Sequence, residues 1–192
     1  MNKIVRCDAA SQLTRLTYAN GSTTLGALTY GYDLAGRIAA RGGSLFTSVL
    51  PAAVTSAVYD ASNKLTSRVV AGVTQTPVWD LNGSMTWDGA NPFTWDARNR
   101  MTRIGTNGAI ANFVYDGVNR RVTATRSGTA TSFLYSGDDV VQEQQGGSAS
   151  ANLLVGINTD ERLSRAGETY LTDLLGSTMA LASGTAIQTN YA

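Results

Sequence analysis

Short runs of alternating apolar and polar residues follow one another along this chain, each closed by Gly, Asn, Asp or Ser. Arg121-Val122-Thr123-Ala124-Thr125-Arg126 alternates with the period of two expected of a half-buried strand, and Phe113-Val114-Tyr115 leads into it across a polar turn. Met85-Thr86-Trp87 and Phe93-Thr94-Trp95 are joined by the shortest far loop, Asp88-Gly89-Ala90-Asn91-Pro92. Further turn signals stand at Asn20-Gly21, Asn107-Gly108, Ser127-Gly128 and Ser183-Gly184. No segment has a sustained helical period; residues 153–157 and 174–181 are short and interrupted by Gly. The pattern predicts an all-β chain, an antiparallel meander of repeated β-hairpins forming a curved ribbon.

The runs are organised by a repeat. An aromatic residue precedes Asp, two variable residues follow, then Gly or Asn, then usually Arg or Lys, then an aliphatic residue and often Thr. The copies are Tyr32-Asp33 with Gly36-Arg37-Ile38, Tyr59-Asp60 with Asn63-Lys64-Leu65-Thr66, Trp79-Asp80 with Gly83-Ser84-Met85-Thr86, Trp95-Asp96 with Asn99-Arg100-Met101-Thr102, and Tyr115-Asp116 with Asn119-Arg120. Cys7-Asp8 with Ser11-Gln12-Leu13-Thr14 is a degenerate first copy, and Asp173 with Gly176-Ser177-Thr178 a late one. Successive aspartates from Asp8 to Asp116 lie 25, 27, 20, 16 and 20 residues apart, an irregularity that suits hairpins with variable far loops better than a helical solenoid.

Turn chemistry explains the spacing. A type I turn favours Asp at its first position, where the carboxylate accepts main-chain N–H groups, and Gly or Asn at its fourth, where a left-handed residue forms a bulge that returns the strand. The residues Asp33, Gly36, Asp60, Asn63, Asp80, Gly83, Asp96, Asn99, Asp116, Asn119, Asp173 and Gly176 are therefore read as turn formers. In the copy at Trp95, Arg98 is expected at the exposed tip.

Composition narrows the chemistry. Charged residues are 15% of the 192, against roughly 25% in ordinary domains, and 15 basic residues balance 14 acidic ones to a net charge of +1, so nothing marks a nucleic-acid partner. The absence of histidine removes the commonest general base and the usual triad, and with them most zinc and copper sites. No catalytic, cofactor-binding or metal-ligating residue is assigned. The single cysteine, Cys7, is expected to be a small buried thiol. No signal-peptide core follows Met1 and no apolar run reaches transmembrane length, so neither membrane insertion nor export directed by this chain is expected, and expression of the chain alone would leave it cytoplasmic.

The pattern Tyr-Asp-x-x-Gly-Arg-Leu, in the variants quoted above, resembles the YD repeats of Rhs (rearrangement hotspot) proteins, which also build the shells of insecticidal toxin complexes and teneurins. Phe133 to Glu143, Gly156 to Arg165 and Tyr170-Leu171-Thr172-Asp173-Leu174-Leu175-Gly176-Ser177-Thr178 resemble, in the same order, the Rhs-associated core. The resemblance divides the chain into YD-repeat hairpins over residues 1–135 and a core-like terminal part over 136–192, forming one continuous structural unit. It implies a spiral of strands closing into a hollow shell around a C-terminal toxin, exported or displayed at the cell surface as part of a larger bacterial protein. The chain is expected to be a fragment of such a shell, ending before the family's self-cleavage segment and carrying no protease activity. Its partners would be the remaining shell and the toxin cargo, and its cut edge strands would promote self-association.

Other candidates have structural readings. The pairs Asp138-Asp139 and Asp160-Glu161, and Asp173, are turn formers or partners of Arg162 and Arg165, because neighbours on a strand point to opposite faces and cannot form a carboxylate dyad. Ser177 lacks a nucleophile-elbow context and a histidine. Trp79, Trp87 and Trp95 either form cross-strand pairs or present a platform for a glycan or partner protein. Arg37, Lys64, Arg100 and Arg120 are expected either to form a ladder of ion pairs with neighbouring aspartates or to line one face of the sheet, and residues 142–150 a flexible far loop.

Overall fold

A computed structural model describes residues 1–105, 111–158 and 161–191. The described residues form twenty β-strands and no helix, so no helix is long and apolar enough to cross a membrane. All pairing is antiparallel between consecutive strands, the meander expected from the alternation. Asn107-Gly108 and Asp160 lie outside the described residues.

The contacts divide the chain into two compact units, Met1–Val49 with Ala151–Ala192 and Leu50–Ser150. In the first, β1 (Asn2–Cys7), β2 (Leu13–Asn20), β3 (Thr23–Tyr32) and β4 (Ile38–Gly42) form one sheet in chain order. β16 (Ser148–Val155), β17 (Arg162–Arg165), β18 (Glu168–Thr172), β19 (Thr178–Ser183) and β20 (Ala186–Asn190) continue a second meander. The two meanders share a core of Leu16, Tyr18, Leu28, Tyr30, Leu45, Leu171, Ala180 and Ala182. Leu28 and Leu171 are completely enclosed. Full burial of such a side chain contributes about 1.5–3 kcal/mol, so this core is the main apolar stabilisation of the unit. Polar links cross it as well: Tyr18 Oη donates to the Thr172 carbonyl at 2.8 Å and accepts the Thr172 amide at 3.0 Å, and Tyr30 Oη accepts the Leu174 amide at 3.1 Å. Burial pushes the Tyr30 phenol above its ordinary value.

The second unit contains β5 (Val54–Tyr59), β6 (Leu65–Val70) and β7 (Val73–Gln75) in one sheet, and the short pair β8 (Val78–Trp79) and β9 (Met85–Trp87). It continues through β10 (Phe93–Trp95), β11 (Met101–Ile104), β12 (Ala111–Tyr115), β13 (Arg121–Arg126), β14 (Thr129–Ser136) and β15 (Asp139–Gln145). Exposure alternates residue by residue along β12 and, from Ala130 onward, along β14, as the period of two requires. Among the described residues here Pro77 and Ala124 are the buried apolar side chains, so this unit depends on what its half-buried aromatics and arginines do.

Two expectations are corrected here. Cys7 is exposed, because β1 is an edge strand with every residue open to solvent. Residues 142–150 are not a flexible loop: β15 and β16 occupy all of them except Gly146 and Gly147, which turn tightly with φ of 58° and 80°. The same pair of left-handed residues recurs at Ser127-Gly128, Ala71-Gly72 and Ala166-Gly167, the two-residue turns whose twist matches the flanking strands.

Candidate functional site

The repeat builds one structural device many times. At Asp8, Asp33, Asp60, Asp80, Asp96, Asp116 and Asp173 the Oδ1 atom accepts the amides two and four residues ahead, at 2.8–3.0 Å. The fourth residue of each turn is left-handed: Ser11, Gly36, Asn63, Gly83, Asn99, Asn119 and Gly176 have φ between 57° and 86°. In the turn at Asp96, the Asn99 amide donates to the Asp96 carbonyl at 3.0 Å, and the Asp96 amide donates to the Arg100 carbonyl at 2.9 Å. Where Thr stands six residues after the Asp, its hydroxyl closes the base of the hairpin: Thr14, Thr66, Thr86 and Thr102 donate to the carbonyls of Arg6, Val58, Val78 and Thr94 at 3.1–3.2 Å.

A second set of bonds joins successive hairpins, at every repeat aromatic but Tyr59. The aromatic residue preceding a turn reaches back to the carbonyl five residues beyond the previous turn Asp. Tyr32 reaches Leu13, Trp79 reaches Leu65, Trp95 reaches Met85 and Tyr115 reaches Met101, at 2.7–2.9 Å. Tyr135, ahead of the different turn at Ser136-Gly137, makes the same bond to Arg121 at 2.9 Å.

The arginines complete these rungs. Arg100 ties its Nε to Asp96 Oδ2 at 2.7 Å, donates through Nη1 to the Asp116 carbonyl at 3.0 Å, and covers the Tyr115 ring at 4.8 Å from its centre. Arg120 repeats the arrangement with Asp116, the Gly137 carbonyl and the Tyr135 ring. Arg121 lies between the Phe113 and Phe133 rings, 5.3 and 5.6 Å from their centres. Each cation–aromatic contact of this kind contributes about 0.5–1 kcal/mol at a partly exposed site.

The guanidinium bonds set the charge state of the turns. Arg100 and Arg120 hold the Asp96 and Asp116 carboxyls below the ordinary range, and the Arg37 amide and guanidinium do the same for Asp33. At Asp88 burial works in the opposite direction but is outweighed by the Asn91 and Ala90 amides, so the carboxyl is again lowered. These acids are ionised hydrogen-bond acceptors, committed to their own turns.

The arginine ladder therefore differs from the expectation. Arg37, Arg100 and Arg120 pair with the Asp of their own turn, and it is a main-chain carbonyl that Arg100 and Arg120 take from the next turn. Arg98 is more than an exposed tip, since its Nη1 donates to the Gly117 carbonyl at 3.0 Å. The tryptophans do not pair with one another: Trp79 stands opposite Met85, Trp87 opposite Val78 and Trp95 opposite Met101. All three are half-buried, and the indole N–H groups of Trp79 and Trp95 are spent on the preceding hairpin. Glu161 accepts the Asn158 side-chain amide at 2.9 Å. Asp173 is buried, with Oδ1 held by the Leu175 and Ser177 amides.

No family model matches the chain, and no curated protein is significantly similar to it.

Proposed function

We propose that this chain is a non-catalytic wall segment of an Rhs-type YD-repeat shell, of the kind that encloses a C-terminal toxin in bacterial polymorphic toxin systems. The observation that carries the reading is the rung between hairpins: the repeat's aromatic, carboxylate and guanidinium groups bond to main chain and to one another, hairpin after hairpin. A surface evolved for catalysis or ligand capture keeps some of its polar groups aimed at the ligand; here the repeat directs them into continuity of the sheet. The mechanism is confinement. A wall with paired backbone and interlocked turns separates cargo from the contents of the producing cell, and the segment would act within a longer protein that is exported or displayed at the surface.

The test is the complete reading frame that contains this sequence, expressed with whatever follows it. Hollow particles in electron micrographs, together with a C-terminal region that resists protease until the particle is opened, are the expected result. A frame without further repeats, or a C-terminal region cleaved as fast as a free polypeptide, would count against the shell. Glycan binding that disappears in a folded Trp87→Ala variant would favour a surface-adhesion role instead.

A further inference from the structure

The rungs obey a rule with one unfilled place. Continuing the β11/β12 register puts Met101 opposite Val114, and continuing the β13/β14 register puts Arg121 opposite Leu134. The carbonyl that accepts the aromatic hydroxyl thus stands opposite the residue just before that aromatic. In the rung of Arg100 and Tyr115, the guanidinium that covers the ring belongs to the residue just before the acceptor.

For Tyr59 the rule names the Ile38 carbonyl as acceptor and Arg37 as the covering cation. Both groups stand at open edges. β4 is the outer strand of its sheet and β5 the outer strand of another. Every residue of β5 is exposed, Tyr59 by 56% and Val58 by 52%, and the Arg37 side chain is 81% exposed although Asp33 already holds it as Asp96 holds Arg100. The edge at β1 lacks these features, because Cys7 occupies its aromatic position.

We propose that β5 of one molecule accepts β4 of a second copy as an added antiparallel strand, with the partner's Ile38 opposite Val58 and the partner's Gly42 opposite Val54. Tyr59 then donates to the partner's Ile38 carbonyl beneath the partner's Arg37. Main-chain hydrogen bonds supply the attachment and the rung fixes its register. The contact joins two different edges, so it propagates head to tail, into a ring where the rotation closes and into an open chain where it does not. The inference rests on the geometry of the rungs and stands whether or not the chain belongs to a shell.

Sedimentation velocity over a range of concentrations tests it, with circular dichroism to verify folding of each variant. The average mass should rise past that of a dimer, Val58→Lys should abolish the rise, and Tyr59→Phe should weaken association about five-fold, the loss of one hydrogen bond. Val5→Lys, on the β1 edge, should leave association unchanged. Oxidation of a Cys7→Ser, Ile38→Cys, Val58→Cys variant should give a ladder of linked chains on a non-reducing gel. A protein that remains monomeric, association indifferent to Val58→Lys, or a product confined to single chains would overturn the proposal.

Discussion

Tyr115 donates its phenolic hydrogen to the main-chain carbonyl of Met101 at 2.8 Å, across the boundary between one hairpin and the next. The same ring lies under the Arg100 guanidinium, so a side chain of each hairpin is bonded to the other. In a unit whose buried apolar side chains, among the described residues, are Pro77 and Ala124, such rungs carry stabilisation that a core would otherwise supply.

Removal of that hydroxyl in Tyr115→Phe should cost about 0.5–1.5 kcal/mol, the net worth of one hydrogen bond. Tyr18→Phe should cost more, about 1–3 kcal/mol, because it leaves both the amide and the carbonyl of Thr172 without their partner in a part-buried place. Urea titration separates the two cases. All three tryptophans lie in the second unit, so their fluorescence reports on Tyr115→Phe, whereas circular dichroism is needed for Tyr18→Phe.

Asn99 sits at φ of 57°, where a β-branched side chain collides with its own backbone. Asn99→Val should destabilise the second unit by about 1–3 kcal/mol. Asn99→Gly should stay close to the parent, and equal melting of the two variants would refute the left-handed turn.

Asp96→Ala removes the acceptor of two turn amides and the anchor of Arg100. Its melting temperature should fall clearly below that of Asp96→Asn, which keeps a neutral acceptor for the amides and loses the charge. Equal melting of the two variants would mean that the charge, and with it the Arg100 pairing, outweighs the turn hydrogen bonds.

Acid should unfold the hairpins through these same carboxylates. Asp33, Asp88, Asp96 and Asp116 are held below their ordinary value in the folded chain. Their contribution is therefore fully present above the unfolded value of about 3.9 and is lost as the pH falls through the lower folded values. Melting temperature measured from pH 6 to pH 2 should be level down to about pH 4 and then fall. Asp96→Asn should have a shallower fall, because one of the linked groups no longer titrates.

Gly26 faces Leu45 across the first unit's core, and a Cβ there would come within 2.6 Å of the Leu45 side chain. Leu45 is 3% exposed and has little room to retreat, so Gly26→Ala should cost about 1–3 kcal/mol by overpacking. Unchanged thermal unfolding followed by circular dichroism would show that Leu45 can move.

The turns were legible because their logic is local. Asp33 and Gly36, or Asp96 and Asn99, lie three residues apart, and the conformations they favour need no distant partner. The strands follow from alternation for the same reason. The rungs were not legible in full: Tyr115 announces a donor, but its acceptor is the Met101 carbonyl, a group every residue possesses. Nor could residue type say that Cys7 would lie on an uncovered edge or that Asp173 would be buried, since exposure depends on which strand packs against which.

By itself, then, the sequence determined the antiparallel meander, the position of each Asp turn and the left-handed residue that closes it. These are choices among a few backbone wells within five consecutive residues. The tertiary structure decided which carbonyl each aromatic finds, and which arginine covers which ring. It also decided that Tyr18 would meet Thr172, 154 residues away, because such pairings depend on register and packing between segments that share no local signal.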